Sequence, residues 1–321
     1  VLVSIPRTIA LSANNLALLG ILMIGSFLGA GAISSFTFSN NLQSVAISII
    51  GVSFAMAVFP VLSDLFRAGE TEKFKNTFVS TARKIIFFTV PTACFLVVFR
   101  AHIVRLVLGS GAFSWEDTRL VAAALAIFAL SLSFQSLYHL FIRALYAMGD
   151  NKKTFFSSIG GAISMVVVAF LWYKWSVINP GLQGFVDALF KVSDISGTLM
   201  LAMPIGFVFG VVVECVILWV FVEQKIHFTK EVIKPIFHSL GAGIIGAASS
   251  YAVLQYTGAF FALNKFVGLL MHAFVGGVVG LSVMIATLIL LENEDAKVFL
   301  QSFTRKFSGV KPIAADTDVL S

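Results

Sequence analysis

The chain has 321 residues, 58% hydrophobic and 12% charged, with a mean hydropathy of +0.96. Soluble domains carry about 25% charged residues, so this composition excludes a soluble domain and indicates an all-α integral membrane protein. The net charge of +6 then reads as loop basicity rather than a nucleic-acid footprint. Cys94 and Cys215 lie inside apolar runs at a spacing that fits no metal motif, and they read as buried thiols.

Runs of about 20 apolar residues mark spanning helices. Eight are predicted, at 8–31, 38–63, 83–107, 118–145, 154–176, 197–222, 235–257 and 264–291. The stretch 36–67 is read as the span around which the others are built. Its first third holds Ser39, Asn40, Asn41, Gln43 and Ser44, which should face protein or water rather than lipid. Its remainder carries Ser48, Gly51, Ser53, Ala55 and Ala57, small residues that let helices approach closely. Pro60 and Ser63-Asp64 are expected to close it. The segment 64–84 reads either as an amphipathic helix at the interface or as the start of the next span. Residues 181–191 read as a short interfacial helix, and Pro204 predicts a kink in the sixth span. The tail after Leu291 reads as disordered.

With eight spans both ends lie on one side, and that side receives 16 of the 22 Lys and Arg residues. The other side receives Arg100, Arg105, Arg119, Lys174, Lys191 and Lys265. The positive-inside rule places both ends in the cytoplasm.

No nucleophile elbow, phosphate-cradling glycine loop or paired carboxylates at helical spacing occur within the spans, so the chain does not read as an enzyme and needs no cofactor or metal. The five histidines fall on separate elements. What remains are polar groups in apolar spans, which by default mark a pathway or a coupling site. Asn14 and Asn15 lie in the first span, and Asn40, Asn41 and Gln43 in the second. They are candidates for the opposite ends of one cavity, the alternative being hydrogen bonds that hold helices together. Glu214 lies about two turns from the end of the sixth span. It is either a site for a coupling cation or proton or a snorkelling carboxylate. His139 and Arg143 share a helix face at i, i+4. Arg7 and Arg143 are candidates for a headgroup contact or cytoplasmic gate.

IPRTIALSANNLALLG, IGSFLGAGAISSFTFSNNLQS and GVSFAMAVFPVLSDL resemble the middle of the MurJ (MviN) family of lipid II flippases, within the MOP exporter superfamily. IVRLVLGSGAFSWEDTRL resembles that family's external loop between its ninth and tenth helices, and LFIRALYAMGDNKKTFF its tenth-helix signature. The matching runs cover residues 5–155; beyond Phe156 only the span pattern agrees. The resemblance implies that the eight spans are the family's seventh to fourteenth. Residues 1–230 would form the second six-helix lobe, and 231–321 two additional helices with a polar cytoplasmic tail, bordering a lipid-facing groove. A first lobe would lie upstream, in keeping with the start at Val1.

The mechanism implied is movement of lipid II, an undecaprenyl-pyrophosphate-linked precursor, from the inner to the outer leaflet of the bacterial inner membrane for cell-wall synthesis. The lobes would rock about a central cavity, with coupling to Na+, H+ or the membrane potential. The partners would be lipid II, membrane lipids and the first lobe. Many members have Asp-Arg where this chain has Asn40-Asn41. An amide donates hydrogen bonds but brings no charge to a pyrophosphate. That departure keeps open a related exporter of another polyprenyl-linked glycan or of small molecules. The remaining alternative is a non-transporting scaffold or fragment.

Overall fold

A computed structural model describes residues 4–109, 113–263, 265–293 and 295–298, excluding the side chains of residues 4–12. All regular structure among them is helical. In chain order the helices are α1 (Ser4–Ser26), α2 (Ala32–Ile47), a π-helical turn (Ser48–Val52), α3 (Ser53–Arg67), α4 (Thr71–Leu108), α5 (Trp115–Ala147), α6 (Asn151–Ile178), α7 (Pro180–Phe190), a 3-10 turn (Thr198–Leu201), α8 (Ala202–Ile226), α9 (Thr229–Thr257) and α10 (Phe266–Leu290). The continuous stretch Ala32–Arg67 and the helices at α4, α5, α6, α8, α9 and α10 are each long and apolar enough to cross a membrane; α1 adds a shorter apolar stretch, Ala13–Ser26. Seven of the eight predicted spans are therefore present by length and composition, the first coincides with α1, and the chain is a multi-pass helical membrane protein.

The central element is α5, not the 36–67 span. In the most apolar window of α5, 72% of residues are buried, against 28% for Ala32–Arg67. Ala122, Ala123, Ala124, Ala126 and Ala129 explain this, because small side chains let neighbouring backbones approach a helix from every side. The α2–α3 span, α4 and α8 pack around α5, and α1 and α8 flank α6. Packing of α9 along α4 attaches the last helical pair, and α10 packs along α9. The tightest pairing is α6 with α8. A Cβ on Gly206 would lie 2.7 Å from Ala169 Cα, and one on Gly210 would lie 2.8 Å from the Gly161 carbonyl oxygen. This is a small-xxx-small seam that brings two backbones together.

Several local expectations are corrected. Pro60 does not close its span, since the helix continues to Arg67. The irregularity comes earlier, where the ladder widens into the π turn at Ser48–Val52 and Ser53 Oγ donates to the Ser48 carbonyl at 2.9 Å. Pro204 is the third residue of α8, directly after the 3-10 turn at Thr198–Leu201, so it sits where the helix changes its hydrogen-bonding pattern. The segment 64–84 is not a separate interfacial helix: after a turn at Ala68–Glu70, Thr71 already begins α4. The first span ends at Ser26 rather than at 31. The short helix expected at 181–191 is α7. The polar tail lies almost wholly outside the described residues.

Candidate functional site

The turn that joins α5 to α6 builds one side of the site. Gly149 has φ +72, the left-handed conformation that ends a helix at little cost for glycine. Asp150 N–H donates to the Leu145 carbonyl at 2.9 Å and Gly149 N–H to the Tyr146 carbonyl at 3.0 Å, completing a Schellman cap. Asp150 then pairs with Lys225 at the end of α8 at 3.0 Å and with Lys153 at 3.7 Å. Burial pushes the Asp150 carboxyl up, but the Lys225 hydrogen bond and charge outweigh it and hold the group below its ordinary value.

The reversal sets Asn151, Thr154 and Ser158 of α6 across from Tyr138, His139, Ile142, Arg143 and Tyr146 of α5. Met56 and Phe59 of α3 complete a cavity of about 590 Å³. Arg143 donates to the carbonyl of His139 at 3.1 Å and forms no ion pair with any described residue. A guanidinium without a carboxylate on a cavity wall is suited to receive an anionic group.

Behind this wall lies a buried polar cluster. Glu214 of α8 is 3% exposed, and Ser158 Oγ donates to its carboxylate at 2.7 Å. Asn14 of α1 lies near the same carboxylate, and its Nδ2 donates to the Tyr138 hydroxyl at 3.2 Å. Its Oδ1 is buried without a partner. No basic residue among the described ones pairs with Glu214. The convergence of carboxylate, amide, hydroxyl and phenol oxygens is the donor type that suits a proton or a small hard cation. No group of three or more His, Cys, Asp or Glu side chains arranged for a metal occurs among the described residues.

A second polar group lies further along α5. Gln43 is wholly buried. Its Nε2 donates to Asn40 Oδ1 at 3.0 Å, and its Oε1 accepts from Gln135 Nε2 at 2.9 Å. Gln135 also donates to Ser131 Oγ at 2.8 Å. Asn41 and Asn15 are exposed on the helical surface. Arg7 lies in α1, and its side chain is outside the described residues.

The candidate residues thus fall into two groups joined by one helix. Ser131, Gln135, Tyr138, Ile142 and Tyr146 recur every three or four residues on α5, and the stripe runs about 22 Å at 1.5 Å per residue. It meets Gln43 at one end and the cavity of Arg143 at the other. Sequence reasoning missed Gln135 and Tyr138. For Gln135 the signal was the i, i+4 series Ser131, Gln135, His139 and Arg143, and for Tyr138 its place three residues after Gln135 on the same face.

Fold and site together define a multi-span helical membrane protein with a partly polar cavity beside its central helix. Comparison with known proteins narrows this class. Residues 2–185 match the family described as lipid II flippase MurJ, and the chain belongs to that family. A probable lipid II flippase MurJ of Bdellovibrio bacteriovorus is 24% identical over 265 residues, covering 82% of this chain and 50% of the relative. One from Thermotoga maritima is 31% identical over 136 residues, 42% of this chain and 28% of the relative. The chain therefore spans about half the length of the curated relatives it matches. A solved structure, lipid II flippase MurJ in an inward closed conformation, aligns with a TM-score of 0.59 at 18% identity, covering 89% of this chain and 54% of that one. The likeness extends well past Phe156, where the recognisable sequence runs stop.

Proposed function

We propose that this chain is the second lobe and additional helical pair of a lipid II flippase of the bacterial inner membrane, acting in cell-wall synthesis. The observation that carries the reading is Arg143. Its guanidinium has no acidic partner among the described residues and faces a cavity of about 590 Å³ rimmed by hydroxyl and amide groups. A pyrophosphate needs such a combination of charge and donors. Asn40 and Asn41 would meet the headgroup at the far end of the α5 stripe, with buried Gln43 holding Asn40 from behind and Asn15 on the face turned toward the other lobe.

The Glu214–Asn14–Ser158–Tyr138 cluster would take the coupling cation or proton. Filling it would change the contacts between α1, α6 and α8, the kind of differential interaction that biases a two-state transporter. Residues 1–230 would move as one lobe and 231–321 would ride on α4. Both ends would lie in the cytoplasm, a placement that the 16 basic residues assigned to that side support. Arg7 would lie at the same end as Arg143, in keeping with a gate.

The test is to express the full reading frame that encodes this chain in bacteria depleted of their own lipid II flippase, and to measure lipid II exposed on the outer leaflet. The wild type should restore exposure. Arg143→Gln should reduce it by about tenfold, the loss of one charge-assisted contact, and Arg143→Lys should keep part of it. Full exposure with Arg143→Gln at equal protein level would remove the headgroup role.

A further inference from the structure

A second concave pocket, of about 520 Å³, lies at the opposite end of the bundle from Arg143, between α4, α9, α10 and the end of α7. Arg100, Arg105 and Lys191 line it together with His102, Tyr251 and Gln255. These three cations are half of the six basic residues at the end of the molecule poorer in positive charge. Topology does not account for such a concentration, since the charge asymmetry that sets orientation depletes this end.

Nor is Arg100 a loop residue. It lies eight residues before the end of α4 at Leu108, about 12 Å down the helix axis, where a charge is costly unless it meets a partner. Its protein contacts are weak: the Phe190 carbonyl at 3.5 Å and the Phe190 ring at 5.8 Å. Arg105 lies 5.8 Å from the ring of Trp115. None of the three cations forms an ion pair with a described residue. The nearby acids are engaged elsewhere: Asp194 with Arg119 at 2.6 Å, Asp187 with Gln183 at 2.8 Å and Thr198 at 3.0 Å, and Asp117 with Ser114 at 2.7 Å. Arg119 also donates to the Lys191 carbonyl, which fixes the backbone that presents Lys191.

The histidines add direction. His272 is 3% exposed, and its Nε2 lies 3.0 Å from the Leu254 carbonyl, so it must be the N–H donor there. Its Nδ1 is then the acceptor from His102 Nε2 at 3.1 Å. That leaves His102 Nδ1 buried without a partner, ready to accept from a hydroxyl. His102 also borders an apolar groove of about 380 Å³ between α4 and α10, walled by Phe95, Phe99, Ile103 and Leu106 of α4 with Gly277 and Leu281 of α10.

We propose that this pocket seats the phosphate headgroup of an anionic phospholipid, with Arg100, Arg105 and Lys191 on the phosphate and the acyl chains along the α4–α10 groove. The site is separate from the Arg143 cavity and does not depend on what that cavity transports. The cations match a phosphodiester, and the adjoining groove matches the chains that a free phosphate lacks.

The full 321-residue chain, purified in a neutral detergent, would be titrated with phosphatidylglycerol and, separately, with phosphatidylcholine of the same chains, and retention followed by native mass spectrometry. Phosphatidylglycerol should bind about tenfold more tightly, as expected for charge-assisted contacts. Arg100→Gln/Arg105→Gln should abolish that preference, while Arg100→Lys/Arg105→Lys should keep most of it. If the Gln pair is not monodisperse, Lys191→Gln at the exposed rim replaces it and should cut the preference by a few-fold. Equal retention of the two lipids, or an unchanged preference in the Gln variants, would overturn the proposal. So would displacement of phosphatidylglycerol by an equal concentration of inorganic phosphate, which would identify a free-anion site instead.

Discussion

The amide pair of buried Gln43 and half-buried Gln135 gives a sharp test of what holds α2 to α5. Gln135→Leu removes the donor to Gln43 Oε1 on a side chain with no exposure at all. An orphaned buried acceptor costs about 1–2 kcal/mol, the lower end applying in a membrane. Gln43→Leu should cost less, about 0.5 kcal/mol, because Gln135 Nε2 keeps Ser131 Oγ at 2.8 Å and half-buried Asn40 can turn to water. Replacing both leaves no orphan, so the double variant should lose roughly 0.5 kcal/mol rather than the sum, a coupling of about 1 kcal/mol. The assay is equilibrium unfolding by SDS in mixed micelles for wild type, both singles and the double. Additivity within about 0.5 kcal/mol, or Gln43→Leu costing more than Gln135→Leu, would refute the reasoning.

Gly206→Ala or Gly210→Ala should each cost about 1–3 kcal/mol by overpacking the α6–α8 seam, read as lower thermal stability of the purified protein; a neutral result would mean that the helices stand further apart. The depressed Asp150 carboxyl contributes stability that is fully present above its ordinary value of 3.8 and is lost as pH falls through the lower folded value. Asp150→Asn should therefore be about 0.5–1 kcal/mol less stable than wild type at neutral pH, and the gap should close in acid; a gap that persists below both values would reassign it to packing. On the proposed reading, Asn41→Asp should slow lipid II flipping by repelling the pyrophosphate, measured as outer-leaflet exposure at equal expression. If the Glu214 cluster takes the coupling ion as proposed, Glu214→Gln should change the dependence of flipping on sodium or membrane potential, and an unaltered dependence would make the cluster structural. For topology, a cysteine at Glu116, which leaves the Ser114 cap of α5 intact, should label from outside intact cells; labelling only after permeabilisation would reverse the orientation.

The spans were legible because each is a long apolar run, and hydrocarbon leaves a backbone no other way to satisfy itself than a helix. Their order of importance was not. In a membrane a lipid-facing leucine and a protein-facing leucine are equally apolar, so hydropathy cannot rank helices by burial. The run Ala122–Ala129 was the available signal, since small residues rather than large ones mark a helix enclosed by others. Asn14, Gln43, Glu214 and Arg143 stood out as polar groups in apolar context, and Gln135 and Tyr138 belonged to the same stripe. The meeting of His102 with His272, 170 residues apart, has no local trace, because it depends on how α10 is laid against α4 through α9. The π turn left no mark either: Ser48–Val52 carries the same mix of small and apolar residues as the stretch that follows it.

Placing α5 at the centre changes how the two polar clusters relate. Had they belonged only to the first two spans, they would face each other across a gap and could act independently. Instead Asn14 is hydrogen-bonded to Tyr138 and Gln43 to Gln135, three residues apart on one rigid helix. A rotation of α5 that opened one contact would load the other, since 100° of turn per residue keeps both on the same face. On the proposed reading, headgroup contact at Asn40–Asn41 and occupancy of the Glu214 cluster would bias the same element, the requirement for coupling between two sites. Tyr138→Phe tests this link, because it removes only the hydroxyl that accepts from Asn14. If α5 carries the coupling, that variant should keep lipid II binding and lose the ion or potential dependence of flipping; loss of binding with dependence intact would place Tyr138 on the substrate instead.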